Sequence, residues 1–229
     1  MMVATGPKKP AQRTRSLHDV RSYDKERGNG DSGPVRTHFG EIHQPLLRYI
    51  AGTQIAVGCV AWVTSKTILA QLAACERTAL VVQKENFWKK PDSRGQRLRS
   101  GYERLRGDMP LSAFPLPLPR MDGHGGTVPA ISCVGVSSTR MYDPLMHHKF
   151  LVRCVRHGDR LKPLAVWVGS ANFSEGANNS FENAVEIHDP AVAESYLVEF
   201  ARVAALSEPM MWRSAQPNPQ FKLKQRKTG

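Results

Sequence analysis

The stretch MHHKFLVRCV, residues 146–155, sets two histidines and a lysine directly ahead of a run of strand-forming apolar residues. In extended backbone alternate side chains face alike, so His147 and Lys149 point together and His148 points the other way. Downstream, RHGDRLKP (156–163) reads as a turn and LAVWVGS (164–170) as the next strand. NAVEIH (183–188) is a further strand, and DPAVAESYLVEFARVAAL (189–206) is a helix opened by Asp189 with Pro190 at its first position. Upstream, IHQPLLRYIAG (42–52) spaces Leu46, Leu47 and Ile50 as a helix does and stops at Gly52. QIAVGCVAW (54–62) follows as a strand, Thr64 or Ser65 caps a helix from Lys66 to Glu76, and ALVVQ (79–83) returns as a second strand. That is a β-α-β unit; with ISCVGV (131–136) as another strand, the pattern predicts an α/β fold, a mixed β-sheet flanked by helices. No internal repeat is visible.

The 229 residues, 41% of them hydrophobic, suit one α/β domain with a real core and carry a net charge of +12. Such basicity favours a polyanionic partner, nucleic acid or an anionic membrane surface. Cys59, Cys75, Cys133 and Cys154 are scattered, which excludes both a zinc motif and a disulfide framework and favours a reducing compartment. The longest apolar run near the start, Ile55 to Val63, is far short of the roughly 20 residues of a membrane helix. The N-terminus has no apolar secretory core, so a cytoplasmic protein is expected. Residues 1–38 read as a flexible basic arm, 39–208 as the folded domain, and 209–229 as a basic tail with Lys222, Lys224, Arg226 and Lys227. Between strands, KENFWKKPDSRGQRLRSGYERLRG (84–107) interleaves Phe87, Trp88 and Tyr102 with cations, as a base-stacking surface or an ordinary amphipathic helix would. The proline cluster after Phe114 is expected to be a surface loop, a candidate for dipping into a bilayer.

Chemistry-bearing residues gather at the strand ends. His147 and Lys149 precede one strand, Ser170 and Asn172 follow another, and Glu182 precedes a third. An imidazole, an ammonium, a hydroxyl, an amide and a carboxylate suit attack on a phosphodiester. Lys149 and Asn172 would stabilise charge on the phosphoryl oxygens, and Glu182 would hold a histidine's other nitrogen. Such chemistry needs no metal and no cofactor. Glu186, on the same strand face as Glu182, is a weaker substitute for the orienting carboxylate, and Asn178 and Asn179 read as turn residues.

MHHKF, GSANFS (169–174) and ENAVEI (182–187) together resemble the phospholipase D superfamily, especially its members with a single H-x-K motif. The resemblance implies a phospholipase D-like fold over roughly residues 42–206. It implies His147 as the nucleophilic or acid histidine, Lys149, Ser170 and Asn172 as phosphate-binding residues, and Glu182 as the orienting carboxylate. Family catalysis joins two such sets, and this chain has one, so a homodimer is implied. The family motif continues with an aspartate where this chain has Cys154. The expected function is a metal-independent phosphodiesterase, an endonuclease acting on DNA or RNA through a phosphohistidine. The alternatives are a cardiolipin-type lipid hydrolase, membrane lipid ranking second as substrate, and an inactive nucleic-acid-binding module.

Overall fold

The computed structural model describes residues 29–84, 93–115, 126–135 and 145–210. Eight strands form one mixed sheet in the order β1 (Val35–Phe39), β9 (Asn183–Ile187), β8 (Arg160–Gly169), β7 (Lys149–His157), β2 (Ile55–Val60), β3 (Arg77–Gln83), β6 (Ile131–Val134) and β10 (Glu208–Pro209). β2, β3 and β6 run parallel, and every other pairing is antiparallel. A separate two-stranded ribbon joins β4 (Met109–Pro110) to β5 (Thr127–Val128).

Strand alternation divides the core into two layers. Ala56, Val60, Leu80, Val82, Leu151 and Trp167 face α1 (His43–Ile50), α2 (Lys66–Ala73) and α3 (Ser93–Glu103). Ile55, Val57, Cys59, Val81, Phe150, Val152, Cys154 and Val166 face α4 (Pro190–Ala205) through Ala193, Leu197 and Phe200. Each buried Val, Leu, Ile or Phe side chain among them stabilises the fold by about 1.5–3 kcal/mol relative to exposure. The β2-α2-β3 unit forms as the sequence predicts, with Ser65 as the cap of α2. α2 ends at Ala73 rather than Glu76, because the Glu76 N–H leaves the helix to donate to Gln54 O at 2.9 Å. Asp189 caps α4, its Oδ1 accepting from the N–H groups of Ala191 and Val192.

Four expectations change. The arm expected through residue 38 ends sooner: Val35–Phe39 is an edge strand paired with β9, and Asp31 bridges to Arg36. Its start and the tail beyond residue 210 lie outside the described residues. At the other edge, Glu208 of β10 forms a buried ion pair with Lys84, so residues 208–209 belong to the sheet. Tyr102 is not a base-stacking aromatic. It is buried among α1 and α2 side chains and its hydroxyl donates to Val63 O at 2.5 Å; Phe87 and Trp88 lie outside the described residues. Phe114 is buried against Phe200, ring centroids 5.4 Å apart, so it cannot enter a bilayer, and residues 116–120 are outside the described residues. The four cysteines are free and buried. Among the described residues no helix is long and apolar enough to cross a membrane.

Candidate functional site

The entry to β7 is pinned from two sides. Met146 N–H donates to Gln83 Oε1 at 2.8 Å, and Ala61 N–H, just past β2, donates to His148 O at 2.9 Å. Alternation then separates the neighbouring imidazoles. His148 turns to the α4 layer, 3.4 Å from Glu199 and edge-on to Phe150. His147 turns the other way, its ring edge-on to Trp62 with centroids 5.8 Å apart. Lys149 follows it: its ammonium donates to the His147 carbonyl at 2.7 Å and lies 5.8 Å from the Trp62 ring centre. Lys149 is 7% exposed while His147 is open to solvent. Partial burial, then the neighbouring Lys149 charge, hold the His147 pKa below its ordinary value. Burial also lowers that of Lys149, an effect opposed by the Glu182 carboxylate.

The second half of the site is set by a close approach. A Cβ at Gly169 would lie 2.3 Å from Asn183 O and 2.9 Å from Ala184 Cα, so only glycine lets β8 end this close to β9. Ser170 is then locked in: its N–H donates to Asn183 O at 3.0 Å, its Oγ accepts the Asn183 N–H at 3.1 Å, and its hydroxyl donates to Glu182 in a short hydrogen bond. Beyond it, the chain crosses the extension of β2. Phe173 N–H donates to Trp62 O, and Thr64 and Ser65 N–H donate to Phe173 O, at 2.8–3.0 Å. This seam fixes Asn172, whose Oδ1 is buried and accepts no hydrogen bond. A buried polar atom without a partner is a site where a ligand supplies one.

All five expected residues therefore meet at one end of the sheet, beside the carboxyl ends of β2 and β3, where open α/β sheets carry ligands. Glu182 does not do what the sequence suggests. It is held by Ser170 and acts on Lys149 through charge, while neither ring nitrogen of His147 is hydrogen-bonded to a described residue. The order β9-β8-β7 explains this. Two strand spacings, about 9.6 Å, separate Glu182's strand from that of His147. The imidazole does not cross this gap, and Lys149 meets the carboxylate only through charge. Glu186 is no substitute, since its two oxygens accept from His38 Nε2 (2.9 Å) and His188 Nε2 (3.0 Å). His188 is thus part of a cluster with the buried His38, which also stacks on Trp167. Trp62 was missed as a site residue; its only signal was a large aromatic at the mouth of an apolar strand. Among the described residues no group of three or more His, Cys, Asp or Glu side chains is placed to hold a metal ion.

No family model matches the chain. Among solved structures it is similar to Nuc of Salmonella typhimurium, a phospholipase D family member, at a TM-score of 0.49 and 16% identity, covering 76% of this chain and 95% of that one. It is similar to NucT of Helicobacter pylori at a TM-score of 0.51 and 11% identity, covering 76% of this chain and 96% of that one. The mixed sheet flanked by helices is the fold that the chain shares with NucT. Among curated proteins it is 28% identical over 219 residues to the uncharacterized protein L381 of Acanthamoeba polyphaga mimivirus, covering 87% of this chain and 75% of that one. In this sheet the H-x-K and G-S-x-N segments occupy adjacent strand ends.

Proposed function

We propose that the protein is a metal-independent phosphodiesterase that cleaves nucleic acid, with His147 as nucleophile and a second copy of the chain completing the site. The observation that carries this reading is His147 itself: a solvent-facing imidazole with both nitrogens open, kept toward its neutral form, beside a buried ammonium. A neutral ring nitrogen attacks phosphorus while the Lys149 ammonium offsets the charge on the phosphoryl oxygens. Rotation of the Asn172 carboxamide presents its NH₂ to the same oxygens. As the P–N bond forms, the P–O bond to the leaving group breaks, and that oxygen takes a proton from a second imidazole. The second imidazole, now neutral, removes a proton from water, which attacks phosphorus and releases His147. One chain offers one such set, so the second imidazole is assigned to a two-fold-related copy. Glu182 acts as a positioning residue, holding Ser170 and supporting the charge on Lys149.

The test is cleavage of labelled single- and double-stranded DNA and RNA in excess EDTA by wild type and His147→Ala, with anionic liposomes assayed in parallel. The expected result is nucleic-acid cleavage that survives EDTA, disappears in the variant and tracks the dimer in sedimentation. Lipid turnover without nucleic-acid cleavage would make the protein a lipid hydrolase. Binding without turnover on any substrate would make it a binding module.

A further inference from the structure

Beside the site, a cleft of about 990 Å3 opens between α2, α3 and the 3₁₀ turn at residues 175–179. Its walls continue the two segments that build the site. Thr64 lies two residues past Trp62, and Ser174 two residues past Asn172. Two residues of extended chain span at most about 7 Å, so the cleft begins one short step from the phosphate position. Three cations line it: Lys66 from the first turn of α2, and Arg97 and Arg104 from α3 and its end. All three are exposed, and among the described residues none of their side chains has a hydrogen-bond or ion-pair partner. The cleft's one carboxylate, Glu175, accepts from the Lys66 backbone N–H at 3.2 Å. The hydroxyls of Thr64 and Ser174 add neutral donors.

The sequence makes this surface on purpose of packing. Leu98 and Tyr102 of α3, with Leu105 just past its end, form a buried stripe, which leaves Arg97, Gly101 and Arg104 on an adjoining stripe at helical spacing. Gly101 sits against Leu69 of α2, where a Cβ would lie 2.8 Å from Leu69 Cδ1, so the two helices approach closely below the arginines. Water takes about 30 Å3 per molecule in the liquid, so the volume exceeds what a lone phosphate group needs and suits a nucleotide-sized segment.

We propose that this cleft binds the backbone of a single nucleic-acid strand on one side of the scissile phosphate, Lys66, Arg97 and Arg104 each meeting a phosphodiester oxygen. The proposal rests on the phosphodiesterase reading for its register, but its binding test does not depend on turnover. Guanidinium groups meet phosphate oxygens through paired N–H donors. A positively charged groove that tracks one backbone is how single strands are held, which commits the site to a single strand.

The test measures anisotropy of a fluorescent single-stranded oligonucleotide in the His147→Ala background, across salt, for the Arg97→Ala/Arg104→Ala double variant. A control, Arg48→Ala/Arg160→Ala, removes the same charge at the opposite end of the sheet. For single strands each lost phosphate contact reduces the slope of log K against log salt by about 0.7, so the cleft variant should lose about 1.4. Between 50 and 200 mM salt that slope change corresponds to roughly sevenfold in affinity. A cleft variant that matches the control, or one that loses binding to phosphatidylglycerol vesicles and not to the oligonucleotide, overturns the proposal. Thermal melts check that both variants fold. If wild type cleaves nothing while the cleft variant loses its slope, the catalytic reading fails and the cleft stands.

Discussion

Gly169→Ala tests whether the close approach of β8 to β9 builds the site. The added methyl would sit 2.3 Å from the Asn183 carbonyl oxygen and 3.0 Å from Ala184 Cβ. Neither neighbour is the end of a flexible side chain, so the strand tip itself must move by roughly 1 Å to reach ordinary contact. Overpacking of this kind costs about 1–3 kcal/mol. The same displacement strains the Ser170–Asn183 pair, whose bonds are 3.0 and 3.1 Å long, and weakening them adds roughly 1 kcal/mol. A total of about 2–4 kcal/mol lowers Tm by about 4–16 °C for a chain of this size. Ser170 carries Glu182 with it, and a misplacement of about 1 Å in a reacting constellation lowers rate by roughly 100-fold. The assay is a thermal melt followed by turnover of bis(p-nitrophenyl) phosphate at a temperature where the variant is folded. Gly176→Ala is the control, since nothing lies within 4 Å of a Cβ there. A Gly169→Ala protein that melts and turns over as wild type does would refute the close-approach reasoning.

Two further outcomes follow from the geometry. Lys149→Gln removes a cation that opposes protonation of His147, so the imidazole pKa must rise. In a wild type that needs the neutral ring, the acid limb of kcat/KM lies below the ordinary value of 6.5. NMR titration of the His147 ring in the variant checks the sign, and an unchanged or lower midpoint would sink it. Glu186→Ala leaves the Nε2 atoms of His38 and His188 without their acceptor; the expected loss is about 1–3 kcal/mol, with faster amide exchange along β1. Wild-type melting and exchange would show the cluster to be energetically idle.

Legibility tracked how local each signal is. The β2-α2-β3 unit was readable because each element buries a continuous or periodic apolar face that the sequence spells out in order. The H-x-K and G-S-x-N segments were readable because alternation alone gives the direction of each side chain. β1 was hidden: VRTHF mixes cations and apolar residues after a Gly- and Ser-rich stretch, and His38 is buried only because Glu186, 148 residues on, accepts from it. The pairing of Glu182 with Ser170 and the seating of Trp62 beside His147 depend on strand order. Strand order is a long-range outcome that no local period encodes. α3 was half visible, since its two buried apolar residues, Leu98 and Tyr102, are outnumbered by three arginines that leave no clear apolar average.

Cys154, where the family pattern has aspartate, lies in the α4 layer with Phe150 and Val152, and burial raises its thiol pKa far above the ordinary value. It packs on the sheet face opposite to Leu151 and Trp167. The departure therefore falls on packing rather than on a phosphate contact, and the question of activity passes to the proton donor. One imidazole bonded to phosphorus cannot also protonate the leaving oxygen. The other described histidines are occupied or distant. His38 and His188 are held by Glu186, His148 faces Glu199, and His43 Nε2 is shared by the Ser65 and Thr67 hydroxyls. His157 ends the strand that Lys149 begins, about 26 Å away at 3.3 Å per residue. His18 and His124 lie outside the described residues. In the proposed reaction a second His147, brought by a two-fold axis through this end of the sheet, is assigned as the donor, and on that assignment activity should fall with dilution into the monomer.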